Sequence, residues 1–207
     1  MQRRSIIKAG LFTVGAAALG APAALAASAA KPAGRGWVTL FDGTSMAGWT
    51  AIGDANWRLE GGAVVADKGN GFLVSKDSYT NFELRAEFWV DPKANSGIFI
   101  RCGDPTSVTG KNAYEVNIYD ERPDPSYGTG AIVDLAKVVP MPKAGGKWNT
   151  YDIVARGPRF TVTLNGKRTV NGATDYKHAA GWIALQCGKA GNDTYTVKFR
   201  KVEIRTL

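Results

Sequence analysis

The chain has 207 residues, enough for one domain with a sizeable core and too short for two comfortable ones. Apolar residues make up 44% of it, so a packed globule is expected and a disordered chain is excluded. The formal net charge is +8, yet Lys and Arg are scattered, with no like-charged block and no basic–aromatic interleaving, so no nucleic-acid partner is expected.

Gln2-Arg3-Arg4-Ser5-Ile6-Ile7-Lys8 opens the chain, and a mildly apolar, Gly- and Ala-rich stretch runs from Ala9 to Ala21. Ala24-Leu25-Ala26 then offers a small-x-small cleavage site. This order reads residues 1–26 as a twin-arginine-type signal peptide of a bacterial protein, exported to the periplasm or secreted. The apolar stretch is too short for a membrane span, so none is expected in the mature form. Taking Arg3, Arg4 and Lys8 away from +8 leaves +5 for the exported chain. Residues 27–36 read as a flexible lead-in, and residues 37–207 as one domain.

Within that domain the apolar residues alternate with period two. Trp37 to Phe41 is a short apolar run. Trp57 to Glu60 and Ala63 to Ala66 flank a Gly61-Gly62 hairpin signal. Phe72 to Ser75 is another short strand. Asn81 to Val90 puts Phe82, Leu84, Ala86, Phe88 and Val90 on one face, and Glu83, Arg85, Glu87 and Trp89 on the other. Gly97 to Cys102 sets Ile98, Ile100 and Cys102 against Phe99 and Arg101. Tyr114 to Asp120 follows, with Tyr114, Val116 and Ile118 as a core face. Its other face carries Glu115, Asn117 and Tyr119 in a row, on one rigid strand.

The stretch from Asp120 to Ser126 is acidic, Pro-containing and loop-like. Ala131 to Leu135 is read as a further strand. Trp148 to Arg156 and Phe160 to Leu164 alternate, and Asn165-Gly166 marks a tight turn. Gly181 to Cys187 sets Ile183, Leu185 and Cys187 against Trp182, Ala184 and Gln186. Tyr195 to Leu207 is a last long strand. A dozen short strands without a helix predict an all-β fold, a two-sheet antiparallel jelly-roll sandwich.

Several segments carry a family resemblance. Leu40-Phe41-Asp42-Gly43-Thr44-Ser45 with Gly48-Trp49 resembles the opening signature of the 3-keto-disaccharide hydrolase family. Asn81 to Phe88, Asn95 to Arg101 and Tyr114 to Ile118 are similar to its central strands, in order. Thr129 to Ile132, Trp148 to Tyr151, Leu164 to Gly166, Gly181 to Gln186 and Val197 to Ile204 continue it. The resemblance spans Val38 to Leu207 and implies a concanavalin A-like or laminin G-like sandwich. It also implies an exported enzyme that cleaves 3-keto-glycosides, with a carbohydrate partner. Relatives commonly carry Gln-x-His where this chain has Gln186-Cys187-Gly188, and often Gln at the place of Asn117.

A ketone at C3 acidifies the C2 hydrogen, so one base suffices to start elimination of the group at C1. The resemblance makes Glu115 the candidate base, with Arg101 beside it to steady the enolate and Tyr119 to pass a proton. Asn117, Trp89, Phe99 and Gln186 are the candidate sugar-binding residues. No cofactor motif is present. A divalent cation held by Asp120, Glu121 and Asp124 is a weaker expectation. The plainer reading leaves Glu115 solvated or ion-paired across strands, and Arg101 a simple partner. His178 is expected in an exposed loop. Cys102 and Cys187 either form a disulfide, which an exported protein permits, or remain two buried thiols. Beside the enzyme stand a carbohydrate-binding module without chemistry and a structural envelope sandwich.

Overall fold

The structure is a computed structural model that describes residues 36–207. The expected signal segment, 1–26, and the lead-in up to residue 35 lie outside the described residues. In chain order the strands are β1 (Val38–Phe41), β2 (Trp49–Gly53), β3 (Arg58–Glu60), β4 (Ala63–Ala66), β5 (Gly71–Tyr79), β6 (Phe82–Val90), β7 (Asn95–Cys102) and β8 (Tyr114–Tyr119). After a single 3-10 turn at Pro125–Tyr127 come β9 (Trp148–Arg156), β10 (Arg159–Leu164), β11 (Lys167–Thr174), β12 (Gly181–Cys187), β13 (Lys189–Ala190), β14 (Asp193–Thr194) and β15 (Val197–Thr206).

Eight strands form one sheet in the order β11-β10-β9-β6-β15-β4-β3, with β1 also paired to β15. Five form the second, β2-β5-β12-β7-β8. All the pairings are antiparallel, and β13 and β14 make a small separate hairpin. The two sheets face each other because their alternating strands leave an apolar face that only another sheet can cover. Phe82, Leu84, Ala86, Phe88 and Val90 of β6 are buried, while Glu83, Arg85, Glu87 and Trp89 between them are half-exposed. Tyr114, Val116 and Ile118 of β8 meet them from the second sheet in one continuous core. The Phe88 and Tyr151 rings stack there at 5.0 Å.

The Tyr151 hydroxyl crosses this core and donates to the Asn117 backbone carbonyl at 2.6 Å. That bond satisfies a buried phenol and ties β9 of one sheet to β8 of the other. The long β8–β9 connection is anchored by Asp120, whose buried carboxylate accepts from Thr129 Oγ1 at 2.6 Å and from the Ala144 and Gly145 amides. Ala131 to Leu135 is not the strand that its apolar residues suggest. It lies irregularly along β8, where the Asn117 amide donates to the Ala131 carbonyl and the Val133 amide to the Glu115 carbonyl, both at 3.0 Å. It thereby covers the free edge of β8, and brings Asp134 round to the outer face.

Candidate functional site

The outer face of the five-stranded sheet carries the candidate site. Phe99 of β7 pairs with Glu115 of β8 and with Ala184 of β12, and Ala184 pairs with Val74 of β5. One step along, Gly97 pairs with Asn117, and Gln186 pairs with Phe72. A third row joins Tyr119 to Asn95, and Asn95 to Gly188. Period-two alternation puts all these side chains on one face, opposite the core-facing Ile98, Val116 and Leu185.

Glu115 is half-buried in this face, over the bare backbone of Gly97. A methyl group at Gly97 would lie 3.2 Å from both Glu115 Cγ and Oε1. The carboxyl accepts no hydrogen bond from the described residues. Desolvation therefore dominates and pushes its pKa up to about 7. Arg122 pulls the value down and Asp134 pushes it up, and both come from the connection that wraps β8. A carboxyl poised near neutrality can accept or return a proton at working pH.

Beside it, two amide oxygens lack partners. Asn117 is fully buried and its Nδ2 donates to the Tyr127 carbonyl at 2.7 Å, but its Oδ1 is buried and unbonded. Gln186 Oε1 is likewise buried and unbonded. An unsatisfied buried acceptor costs about 1–3 kcal/mol, so these two oxygens are a polar strain beneath the face that a hydrogen-bond donor reaching them would relieve. Hydroxyl groups of a polyol suit such acceptors.

Of the residues singled out by sequence, Glu115, Asn117, Tyr119, Phe99 and Gln186 share this face. Phe99 is buried and meets Phe72 edge-on at 5.1 Å, so it forms floor rather than a stacking platform. Arg101 is not with them. Its φ of +53° interrupts the alternation of β7, where the register against β12 also shifts. The guanidinium turns under the sheet, stacks 5.1 Å from Phe160, and donates to the carbonyls of Thr80, Gly157 and His178. It ties three loops together and does not face Glu115. Trp89 sits on the outer face of the other sheet, opposite Trp148 and beneath Lys198 Nζ at 5.0 Å. It has no access to Glu115.

The cation site expected at Asp120, Glu121 and Asp124 does not form. The Asp120 oxygens are filled by Thr129, Ala144 and Gly145, and Asp124 caps the 3-10 turn through the Ser126 amide and hydroxyl. Among the described residues, no group of three or more His, Cys, Asp and Glu gathers to hold a metal. Cys102 and Cys187 are free. Trp182 is paired with Cys102, and Cys187 lies five residues further along β12, roughly 16 Å away. The shift at Arg101 also turns Cys102 outward, into the cluster with Phe99 and Val74, while Cys187 stays in the main core. His178 is half-buried, not exposed; its carbonyl holds Arg101 and its ring packs against Tyr114 at 5.1 Å.

Asn95, Phe72, Arg122 and Asp134 escaped the sequence reading. Only the pairing of strands distant in sequence brings them here. Asn95 Nδ2 donates to the Lys189 carbonyl at 2.8 Å, which fixes the hairpin beside Gly188. At Gly188 the face has no side chain, and a methyl group there would lie 3.2 Å from Gln186 Cδ.

Residues 36–205 match the family model described as 3-keto-alpha-glucoside-1,2-lyase-like domain. A 3-keto-disaccharide hydrolase of Bacteroides thetaiotaomicron is 26% identical over 197 residues, covering 79% of this chain and 67% of that protein. Among solved structures, a Parabacteroides distasonis protein described as a "putative glycosyl hydrolase" is 28% identical with a TM-score of 0.67, covering 83% of this chain and 100% of the other. The carbohydrate-binding module CBM66 of Bacillus subtilis shares the fold at 18% identity and a TM-score of 0.59, over 77% of this chain and 96% of the module.

Proposed function

Because the chain belongs to the 3-keto-alpha-glucoside-1,2-lyase-like domain family, we propose that it cleaves 3-keto-glycosides by elimination and hydration, with Glu115 as the base. The single observation that carries this reading is the unbonded Glu115 carboxyl, with a pKa raised to about 7, on a face with two orphan amide oxygens.

The Glu115 carboxylate takes the proton from C2. The C–H electrons enter the C2–C3 bond and the charge rests on the C3 oxygen. The enolate then re-forms the ketone, a C1–C2 double bond appears, and the C1–O bond breaks with its electrons on the aglycone oxygen. The proton that Glu115 took is returned to that oxygen. Water next adds its oxygen at C1 and a proton at C2, which completes a net hydrolysis. Gln186, whose side chain is only half-buried, turns its amide to a sugar hydroxyl and holds C2 towards Glu115, while the fully buried Asn117 stays beneath the face. Arg122, the cation acting on Glu115, offsets the negative charge as it moves to the enolate. No second catalytic carboxylate is required, unlike direct glycoside hydrolysis. The charged start, apolar stretch and Ala24-Leu25-Ala26 site support action outside the inner membrane.

The test is incubation with a 3-keto-disaccharide and with its unoxidised parent. Sugar released only from the ketone, and lost in Glu115→Gln, is the expected result. No release from any 3-keto-glycoside, with or without divalent metal, overturns the reading. A second reading, a carbohydrate-binding module without chemistry, is favoured by Gly188, which leaves no histidine beside Gln186. Binding of both sugars without release is its signature.

A further inference from the structure

The outer face that carries Glu115 does not end at its polar rows. Beyond Phe99 and Phe72 it continues into an open apolar pocket lined by Thr50 and Ile52 of β2, Val74 of β5, Pro105 and Thr106 of the β7–β8 connection, and Trp182 of β12. Val108 and Ala113 pack with the buried Val74, Phe99 and Ala184 in one cluster and close that part of the face, so the surface link runs beside them. Phe99 faces Glu115 across one strand pair and meets the half-exposed Phe72 edge-on, and Phe72 pairs with the half-exposed Ile52. Trp182 and Ile52 pack against that cluster while remaining half-exposed. The outer face is thus polar over β8 and apolar over β5 and β2.

A half-exposed tryptophan and isoleucine above a buried floor are a standing cost in water, which an apolar ligand group relieves. The distance fits one molecule reaching both halves. From β8 to β5 is three strand spacings, about 14 Å. A sugar ring whose C2 lies at Glu115 covers only the first part of that span, and the group on C1 must cover the rest.

We infer that the pocket of Ile52, Val74, Pro105 and Trp182 binds the aglycone, and that this aglycone is a flat apolar group, aromatic in the best case, rather than a second sugar. The inference rests on the sugar ring sitting at Glu115. Thr50, Ser75, Lys76 and Thr106 also border the pocket, but Ser75 Oγ is already bonded to the Asp77 carbonyl and the Ile183 amide, and Thr106 Oγ1 to Asp104, so a second sugar would find only the Thr50 and Lys76 side chains uncommitted. An aryl group instead stacks on Trp182 and covers Ile52, the two half-exposed apolar side chains of the pocket.

The test compares 2-phenylethyl and ethyl 3-keto-glucosides, whose leaving alcohols are chemically alike and which differ in the apolar ring. The phenylethyl compound is expected to have a kcat/KM about tenfold higher. Trp182→Ala and, on the edge strand, Ile52→Thr are each expected to shrink that ratio towards one. Binding is read separately by NMR titration with the unoxidised glucosides. The phenylethyl compound is expected to shift the Trp182 Nε1–H and Ile52 methyl signals, and the ethyl compound not to. Equal turnover of the two ketones, a 3-keto-disaccharide preferred over the phenylethyl ketone, or no shift at Trp182 and Ile52 overturns the assignment. Loss of turnover for both ketones while the Trp182 shift persists removes the elimination chemistry and leaves the pocket's ligand standing.

Discussion

Replacing Glu115 with glutamine should stabilise the protein at alkaline pH and leave its stability unchanged in acid. The native carboxyl has its pKa raised from 4.5 to about 7, chiefly because burial disfavours its charged form. Below about pH 4.5 the group is protonated in both folded and unfolded chains, so the wild type and the variant match. Between pH 4.5 and 7 the unfolded chain ionises while the native one holds its proton, and the wild type loses stability progressively. Above 7 both states are ionised and the loss is complete. The rise from 4.5 to about 7, at about 1.36 kcal/mol for each tenfold change in the ionisation constant, gives roughly 3 kcal/mol. Glutamine carries no such penalty. For a domain of this size that is a melting-temperature gain of roughly 6–12 °C at pH 8, read by calorimetry of both proteins from pH 4 to 8. Subtracting the two curves removes the titration of all other carboxylates. A difference that does not grow with pH, or a Glu115→Gln variant less stable at pH 8, would refute the desolvated Glu115 on which the proposed chemistry depends.

Three further predictions come from the same geometry. The kcat/KM for a 3-keto-glycoside should rise as pH passes through about 7, because the base form of Glu115 appears there; a flat profile from pH 5 to 8 contradicts this. Arg101→Met should cost about 3–5 kcal/mol in denaturant unfolding, since it leaves the Thr80, Gly157 and His178 carbonyls without their donor. At saturating substrate the folded fraction should keep a near-normal kcat, and a stable but inactive variant would return Arg101 to the catalytic set. Both cysteines should resist a thiol reagent in the native state, since burial pushes each thiol up to about 12, and both should react after unfolding; a melting temperature that falls on adding reductant would expose a disulfide.

Much of the fold was legible because β-alternation is a local signal. The faces of β6, β8 and β12 follow from spacing alone, and Glu115, Asn117 and Tyr119 share the outer face that their period of two assigns them. Three features resisted reading for separate physical reasons. A non-glycine residue at positive φ is rare, and nothing in the letters around Arg101 announces the irregularity that sends its guanidinium under the sheet and Cys102 outward. Alternation also places Trp89 on an outer face without saying which sheet owns it, so its neighbourhood with Glu115 was lost once β6 joined β9 and β15. The 120–147 connection has no period at all. Its course is fixed by Asp120 holding the Ala144 and Gly145 amides and by amide bonds to β8, and only that course brings Arg122 and Asp134 to Glu115. Family resemblance supplied the substrate chemistry. The burial of Glu115 and its raised pKa are the observations on which the proposed placement of that chemistry rests.

The most direct measurement is the fate of the C2 hydrogen. When a 3-keto-disaccharide is cleaved in deuterated water and followed by NMR against an enzyme-free control, elimination through Glu115 requires the released 3-keto-sugar to carry deuterium at C2. Glu115→Gln should release no sugar above the control. Sugar released with its original C2 hydrogen in place would mean direct hydrolysis at C1, and would contradict the account.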